Sequence, residues 1–367
     1  MKERFEVLDV FRGIFSSMVV LYHLSALSAT PIVNNQFIYN TDLFVDFFFI
    51  LSGFVISYNY IQLATKAELK KFVLKRFLRL YPLHFITLAV FIIMELLKGY
   101  AAHFVHLNNI NNKDNNVYTV ITNLFLVNSV NMPGIHNVSW NIPSWSISAE
   151  MIAYFAFGTI TLAINHYIKA YKILIYILFI GATILALYTL TDSLKLSYTF
   201  NYGFLRGIIG FFTGTLCYCA YIGLKGKSKN WSEGVFHILE PLIMITTLIV
   251  ICYGDELKSY GLLYELMFFL NVLVFSFEKG WLSSVLKKPM MLKQIGKYSY
   301  SIYMTHTIIL IIFNIVFIRV LKFPPSAYAY LFVINLGIVY WVSAWTYNNI
   351  EMRFNKGWPR SEKKHIG

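Results

Sequence analysis

Long apolar stretches alternate with short polar ones along the whole chain. Ten of them approach the roughly 20 residues that a membrane helix needs. They cover residues 8–28, 43–63, 80–98, 146–166, 171–190, 203–223, 236–253, 259–277, 299–319 and 327–349. A shorter apolar piece, 118–130, holds Thr122, Asn123 and Asn128 and reads as interfacial or re-entrant. The pattern predicts an all-α integral membrane protein of about ten transmembrane helices. It forms one domain over 1–367, with a short tail at 350–367. No linker or soluble domain stands at either end, and no internal repeat favours a repeat-built transporter.

Composition agrees. The chain is 57% hydrophobic and 13% charged, against about 25% charged residues in an ordinary soluble domain. Disordered, collagen-like and disulfide-scaffold classes are excluded. Cys217, Cys219 and Cys252 form no CxxC pair and read as small apolar residues.

The net charge of +13 is explained by its distribution, so no nucleic-acid partner is expected. With the N-terminus inside, twenty-three of the 31 Lys and Arg fall in inner segments and six in outer ones. Arg12 and Arg206 lie within spans. That asymmetry is the positive-inside signature, and it puts both termini in the cytoplasm. The first stretch, carrying Arg12 and His23, reads as a retained signal anchor.

Ionisable groups inside a bilayer are costly and usually face an internal cavity. In the first span Asp9 and Arg12 are three apart and can pair. Arg12 and His23 share a face, about 16 Å apart along the axis. Arg12 also fits a snorkelling anchor and His23 an interhelical hydrogen bond. Asp46 opens the second span at about the depth of His23, either orienting the imidazole or reaching water at the boundary. The basic segment KAELKKFVLKRFLRLYP, 66–82, reads as an inner loop. Its Arg76 and Arg79 suit either phosphate or anionic lipid.

WNIPSWSISAE, 140–150, enters the fourth span from outside and carries Asn141, Trp145, Ser148 and Glu150. Glu150 lies about a turn inside the span and reads as functional. Asn141 and the serines are hydrogen-bonding groups for an oxygen-rich acceptor. Arg206 opens the sixth span and pairs with Asp46 or Glu150, or contacts substrate. GKYSYSIYMTH, 296–306, places Ser299, Tyr300, Tyr303 and His306 near the inner half of the ninth span. His84 is expected at the inner interface, and Glu351 with Arg353 as a surface ion pair or cap. No GxSxG elbow, Walker loop, HExxH or metal-spaced Cys/His cluster is present, so no metal is expected.

These pieces, in order, resemble the membrane-bound acyltransferase 3 family. They are Asp9–Phe11–Arg12–Gly13, the Arg12/His23 spacing, SGF at 52–54, RFLRLYP at 76–82, PSWSISAE at 143–150 and GKYSYSIYMTH at 296–306. The resemblance implies a ten-helix enzyme of the bacterial inner membrane. Such an enzyme moves an acyl group, most often acetyl, from cytosolic acyl-CoA to a hydroxyl of an extracytoplasmic polysaccharide or glycolipid. It implies His23 as the catalytic histidine; by their own placement Asp46 or Glu150 would hold its ring. Arg12, Arg76, Arg79, Tyr303 and His306 become donor-binding candidates, and Asn141, Trp145, Ser148 and Arg206 acceptor-binding ones. Acetyl-CoA is then a donor substrate, and no cofactor stays permanently bound. Direct transfer and an acyl-histidine route both stand. The competing functions are a glycan or lipid transporter and a non-catalytic partner of a polysaccharide-synthesis complex. Larger family members carry a fused extracytoplasmic domain that this chain lacks.

Overall fold

A computed structural model describes residues 4–101 and 112–355. Lys2, the middle of the Asn- and His-rich 99–145 segment, and the tail cations Lys356, Arg360, Lys363 and Lys364 lie outside the described residues.

Apolar runs of membrane length satisfy their backbone groups only as helices or closed barrels, and every described run is helical. The long helices are α1 (Glu6–Ser25), α2 (Phe44–Tyr60) and α3 (Lys66–Ala101). A short helix, α4 (Val117–Leu124), precedes α5 (Ser144–Tyr167), α6 (Lys172–Thr191) and α7 (Gly203–Lys225). The chain continues through α8 (Glu233–Cys252), α9 (Gly261–Phe275), the short α10 (Trp281–Leu286), α11 (Met290–Asn314) and α12 (Tyr328–Thr346). Among the described residues nine helices are long and apolar enough to cross a membrane. The tenth expected span is α9, which at 15 residues is only about 22 Å long.

Burial sorts the helices. The α2 segment is 72% buried and forms the centre, whereas α6 is 17% buried and faces outward. The centre is aromatic: Phe15 stacks on Phe44 with ring centroids 4.0 Å apart, and Phe47 meets Phe15 edge-on at 4.7 Å. α2 and α7 pack backbone to backbone. A Cβ on Gly53 would overlap the Phe211 carbonyl, and one on Gly214 the Ile50 carbonyl.

The basic segment at 66–82 is not a loop. Thr65 and Glu68 form a reciprocal capping box: the Thr65 hydroxyl accepts from the Glu68 amide, and Glu68 accepts from the Ala64 and Thr65 amides. α3 therefore starts at Lys66 and runs through Pro82 for 36 residues, about 54 Å. His84 is 18 residues into it and buried.

The polar connections gather at two ends. Lys293 pairs with Glu6 (2.6 Å), Lys287 with Glu278 (3.1 Å), and Asn165 donates to the Ile61 and Leu63 carbonyls. The Lys- and Arg-rich connections thus meet at one basic end. Lys258 with Asp42 and Asp255 marks the opposite end.

The 118–130 piece re-enters the bundle. An Asn116/Thr119 capping box starts α4. The His84 ring donates to the Asn123 carbonyl (2.9 Å), and Tyr81 donates to that of Leu124 (3.1 Å). Trp140 holds a left-handed backbone conformation (φ 57°). Its amide donates to Asn115 Oδ1 (2.7 Å) and its indole to Thr119 Oγ1 (3.0 Å).

Candidate active site

α1 and α11 lie side by side and parallel. A Cβ on Gly13 would overlap Gly296, and one on Gly296 would overlap the Asp9 carbonyl. Ten residues further along each helix, about 15 Å, the rings of His23 and His306 sit with centroids 5.1 Å apart. His306 therefore shares the depth of His23 instead of lying near the basic end. Tyr303, one turn below, has its ring 6.1 Å from that of His306.

A cavity of about 100 Å³ opens between α1, α2, α3, α5 and α11. Arg12, Arg76, Arg79, Ser52, Ser146, Glu150, Tyr154, Ser299, Tyr300 and Tyr303 supply its polar wall. The sequence expectation named five of these as site residues: Arg12, Arg76, Arg79, Glu150 and Tyr303. A second cavity of about 160 Å³, with Arg4, Asp9, Tyr58 and Asn59 in its wall, adjoins it through Arg12, Leu51 and Val55.

The three guanidinium groups are compensated unequally. Arg12 lies 3.6 Å from Asp9, and Arg79 lies 4.0 Å from Glu351. Arg76 is buried over the Tyr60 ring (5.5 Å) with its Nε unpartnered, and has no carboxylate partner among the described residues. Glu351 is not a surface group: it is buried and accepts from Ser301 (3.3 Å). The basic end thus holds excess positive charge in a partly enclosed space, which suits a phosphate-bearing ligand.

Glu150 is held by two hydroxyls. Ser52 Oγ donates to its Oε1 (2.5 Å), and Tyr154 donates to the same oxygen. Tyr154 is four residues from Glu150 on α5, a spacing that puts the two on one face and that the sequence reading passed over. Ser52, of the SGF motif, belongs to the cavity wall.

The other expected site residues are placed apart from this cavity. Asp46 does not turn to His23: both its oxygens take a bidentate bond from Arg206, at 2.6 and 2.8 Å, with both residues buried. Arg206 also lies over Trp145 (5.3 Å). Ser148 donates to the Leu126 carbonyl (2.6 Å) and meets Ser129 Oγ (2.7 Å), tying the re-entrant segment to α5. The Asn141 amide donates to the Met304 carbonyl (3.0 Å) and Thr87 (3.3 Å), and accepts from Thr307 (2.7 Å). It clamps α11 at the level of His306.

His23 is outside the cavity wall. Tyr303 and His306 stand between the two, in a series of ring contacts from cavity to imidazole. Sequence reasoning also passed over Glu265 on α9, which is buried beside Gly210 with both carboxyl oxygens unpartnered. A lone acid in an apolar run was the available signal.

The profile of the acyltransferase 3 family, described as an acyltransferase domain, matches residues 5–344. No curated protein and no solved structure matches the chain. That match takes in α1 through almost all of α12 and every residue of the arginine cavity. The chain belongs to the acyltransferase 3 family and is a multi-pass membrane acyltransferase.

Proposed function

We propose that this acyltransferase moves an acetyl or related acyl group from cytosolic acyl-CoA to a hydroxyl of an extracytoplasmic carbohydrate, across the inner membrane of a bacterium. The reading rests on the arginine-rich cavity at the basic end, whose Tyr303 wall is separated from His23 by the His306 ring. Twenty-three of 31 cations on the inner segments support a cytoplasmic basic end.

The donor's phosphates are anionic and stay at the cytosolic mouth. Arg12, Arg76 and Arg79 hold them, and the adjoining cavity beside Arg4 gives room for the nucleotide end. The thin thioester arm reaches past Glu150 and Tyr303 towards His23. The acceptor hydroxyl approaches from the opposite end. His23 takes the hydroxyl proton as that oxygen attacks the thioester carbonyl. The carbon–sulfur bond breaks, and the sulfur leaves with the proton from His23 as free thiol. An ester and CoA result, and no cofactor is consumed.

The test is transfer by the purified protein in proteoliposomes supplied with radiolabelled acetyl-CoA on one side and an oligosaccharide on the other. Release of CoA matched by labelled ester supports the reading. Oligosaccharide movement with no turnover of acetyl-CoA would make the protein a transporter instead.

A further inference from the structure

The proposed general base needs a group that fixes which nitrogen of His23 carries the proton. Neither expected carboxylate bonds His23. Asp46 is spent on Arg206, and Glu150 Oε1 is taken by Ser52 and Tyr154. The ring next to His23 is His306. We propose that His306 is the positioning residue for His23, so that the orienting group of this acyltransferase is an imidazole.

His306 is fully buried, and its Nδ1 lies 3.1 Å from the Ile302 carbonyl. A carbonyl only accepts, so Nδ1 carries the hydrogen and Nε2 presents its lone pair. That Nε2 is buried with no hydrogen-bond partner in the resting structure. Buried polar groups are nearly always bonded, and each exception calls for an explanation. The nearby His23 ring, tilted by 36° at 5.1 Å, supplies one: it is the donor for which Nε2 is held open.

Two contacts hold His306 in place. The glycine contact at Gly13 and Gly296 sets the register of the two helices. Asn141 clamps the Met304 carbonyl and the Thr307 hydroxyl on either side. With one His23 nitrogen donating to His306 Nε2, the other is left unprotonated and faces the acceptor hydroxyl. As His23 takes that proton, its N–H bond to Nε2 becomes charge-assisted and shorter.

This inference rests on the acyl-transfer reading above. The test is steady-state transfer from acetyl-CoA by wild-type, His306→Phe and His306→Gln proteins in proteoliposomes, with size-exclusion profiles to establish folding. His306→Phe removes the acceptor, and kcat is expected to fall by about 100-fold while KM for acetyl-CoA stays within about twofold. His306→Gln returns an acceptor oxygen and is expected to recover at least about tenfold of that loss. If His306→Phe does not fold, His306→Asn replaces it, and its shorter acceptor is expected to work less well than Gln. A folded His306→Phe with near-normal kcat, a change in KM alone, or no advantage of Gln over Phe or Asn would overturn the proposal and leave acyl transfer standing. Absence of acetyl-CoA turnover in the wild type would overturn both.

Discussion

The α2–α7 and α1–α11 helix pairs use the same packing device for different ends. In each, glycine removes the side chain that would hold the backbones apart: Gly53 and Gly214 in the first pair, Gly13 and Gly296 in the second. At α2–α7 the approach seals a bidentate Asp46–Arg206 ion pair whose bonds are complete. At α1–α11 it aligns Arg12, Tyr303, His306 and His23, and leaves a buried ring nitrogen open. A buried polar group with all its bonds made is frame. One that keeps a free valence beside a cavity is a candidate for chemistry.

The sharpest way to break this contrast is to remove one residue from each side. His23→Ala is expected to lower transfer by at least about 10³-fold with unchanged yield and elution profile. Normal acylation by that variant would remove the general base from the account. Arg206→Ala leaves Asp46 as an uncompensated buried charge and is expected to cost about 3–5 kcal/mol. The readout is a lower thermal midpoint and loss of monodisperse protein. A folded Arg206→Ala protein defective only in KM for the carbohydrate would move Arg206 from the frame to the acceptor site.

Smaller changes sharpen the same line. Ser148→Ala strips the Leu126 carbonyl of a buried donor and is expected to cost about 1–3 kcal/mol of stability, with transfer rates intact. Selective loss of acceptor binding would restore the substrate role expected from the sequence. Glu265 is one exception on the frame side, buried and unbonded, as are the Asn335 amide and His84 Nδ1. Glu265→Gln keeps its shape and loses no hydrogen bond, so stability and turnover are expected to stay within about twofold. A large drop in turnover would make Glu265 part of the chemistry.

Much of this was legible in the chain because a bilayer leaves few options. Each of the ten apolar runs corresponds to a helix, and the Arg12, Arg76, Arg79, Glu150 and Tyr303 expected around one site do line one cavity. Depth and partner choice were harder to read. The Thr65–Glu68 capping box starts α3 well before its apolar run, and the partner of His84 is the Asn123 carbonyl of the 118–130 segment. His306 shifted for a related reason: helix register is set by the Gly13–Gly296 contact, which hydropathy does not encode. Asp46 was open to the His23 imidazole, to water or to Arg206, and the packing of α7 on α2 selects Arg206. Tyr154 and Glu265 show the opposite case: the spacing from Glu150 and the lone acid in α9 were visible signals not acted upon.

The arginine cavity is proposed as the donor site. Equilibrium binding of radiolabelled acetyl-CoA to the purified protein tests it directly, in the wild type, in His23→Ala, and in Arg76→Ala combined with Arg79→Ala. Saturable binding is expected in the wild type, the same affinity in His23→Ala, and at least about tenfold weaker binding in the double variant. Wild-type protein that fails to bind acetyl-CoA, or a folded double variant that binds it as tightly as the wild type, would contradict it.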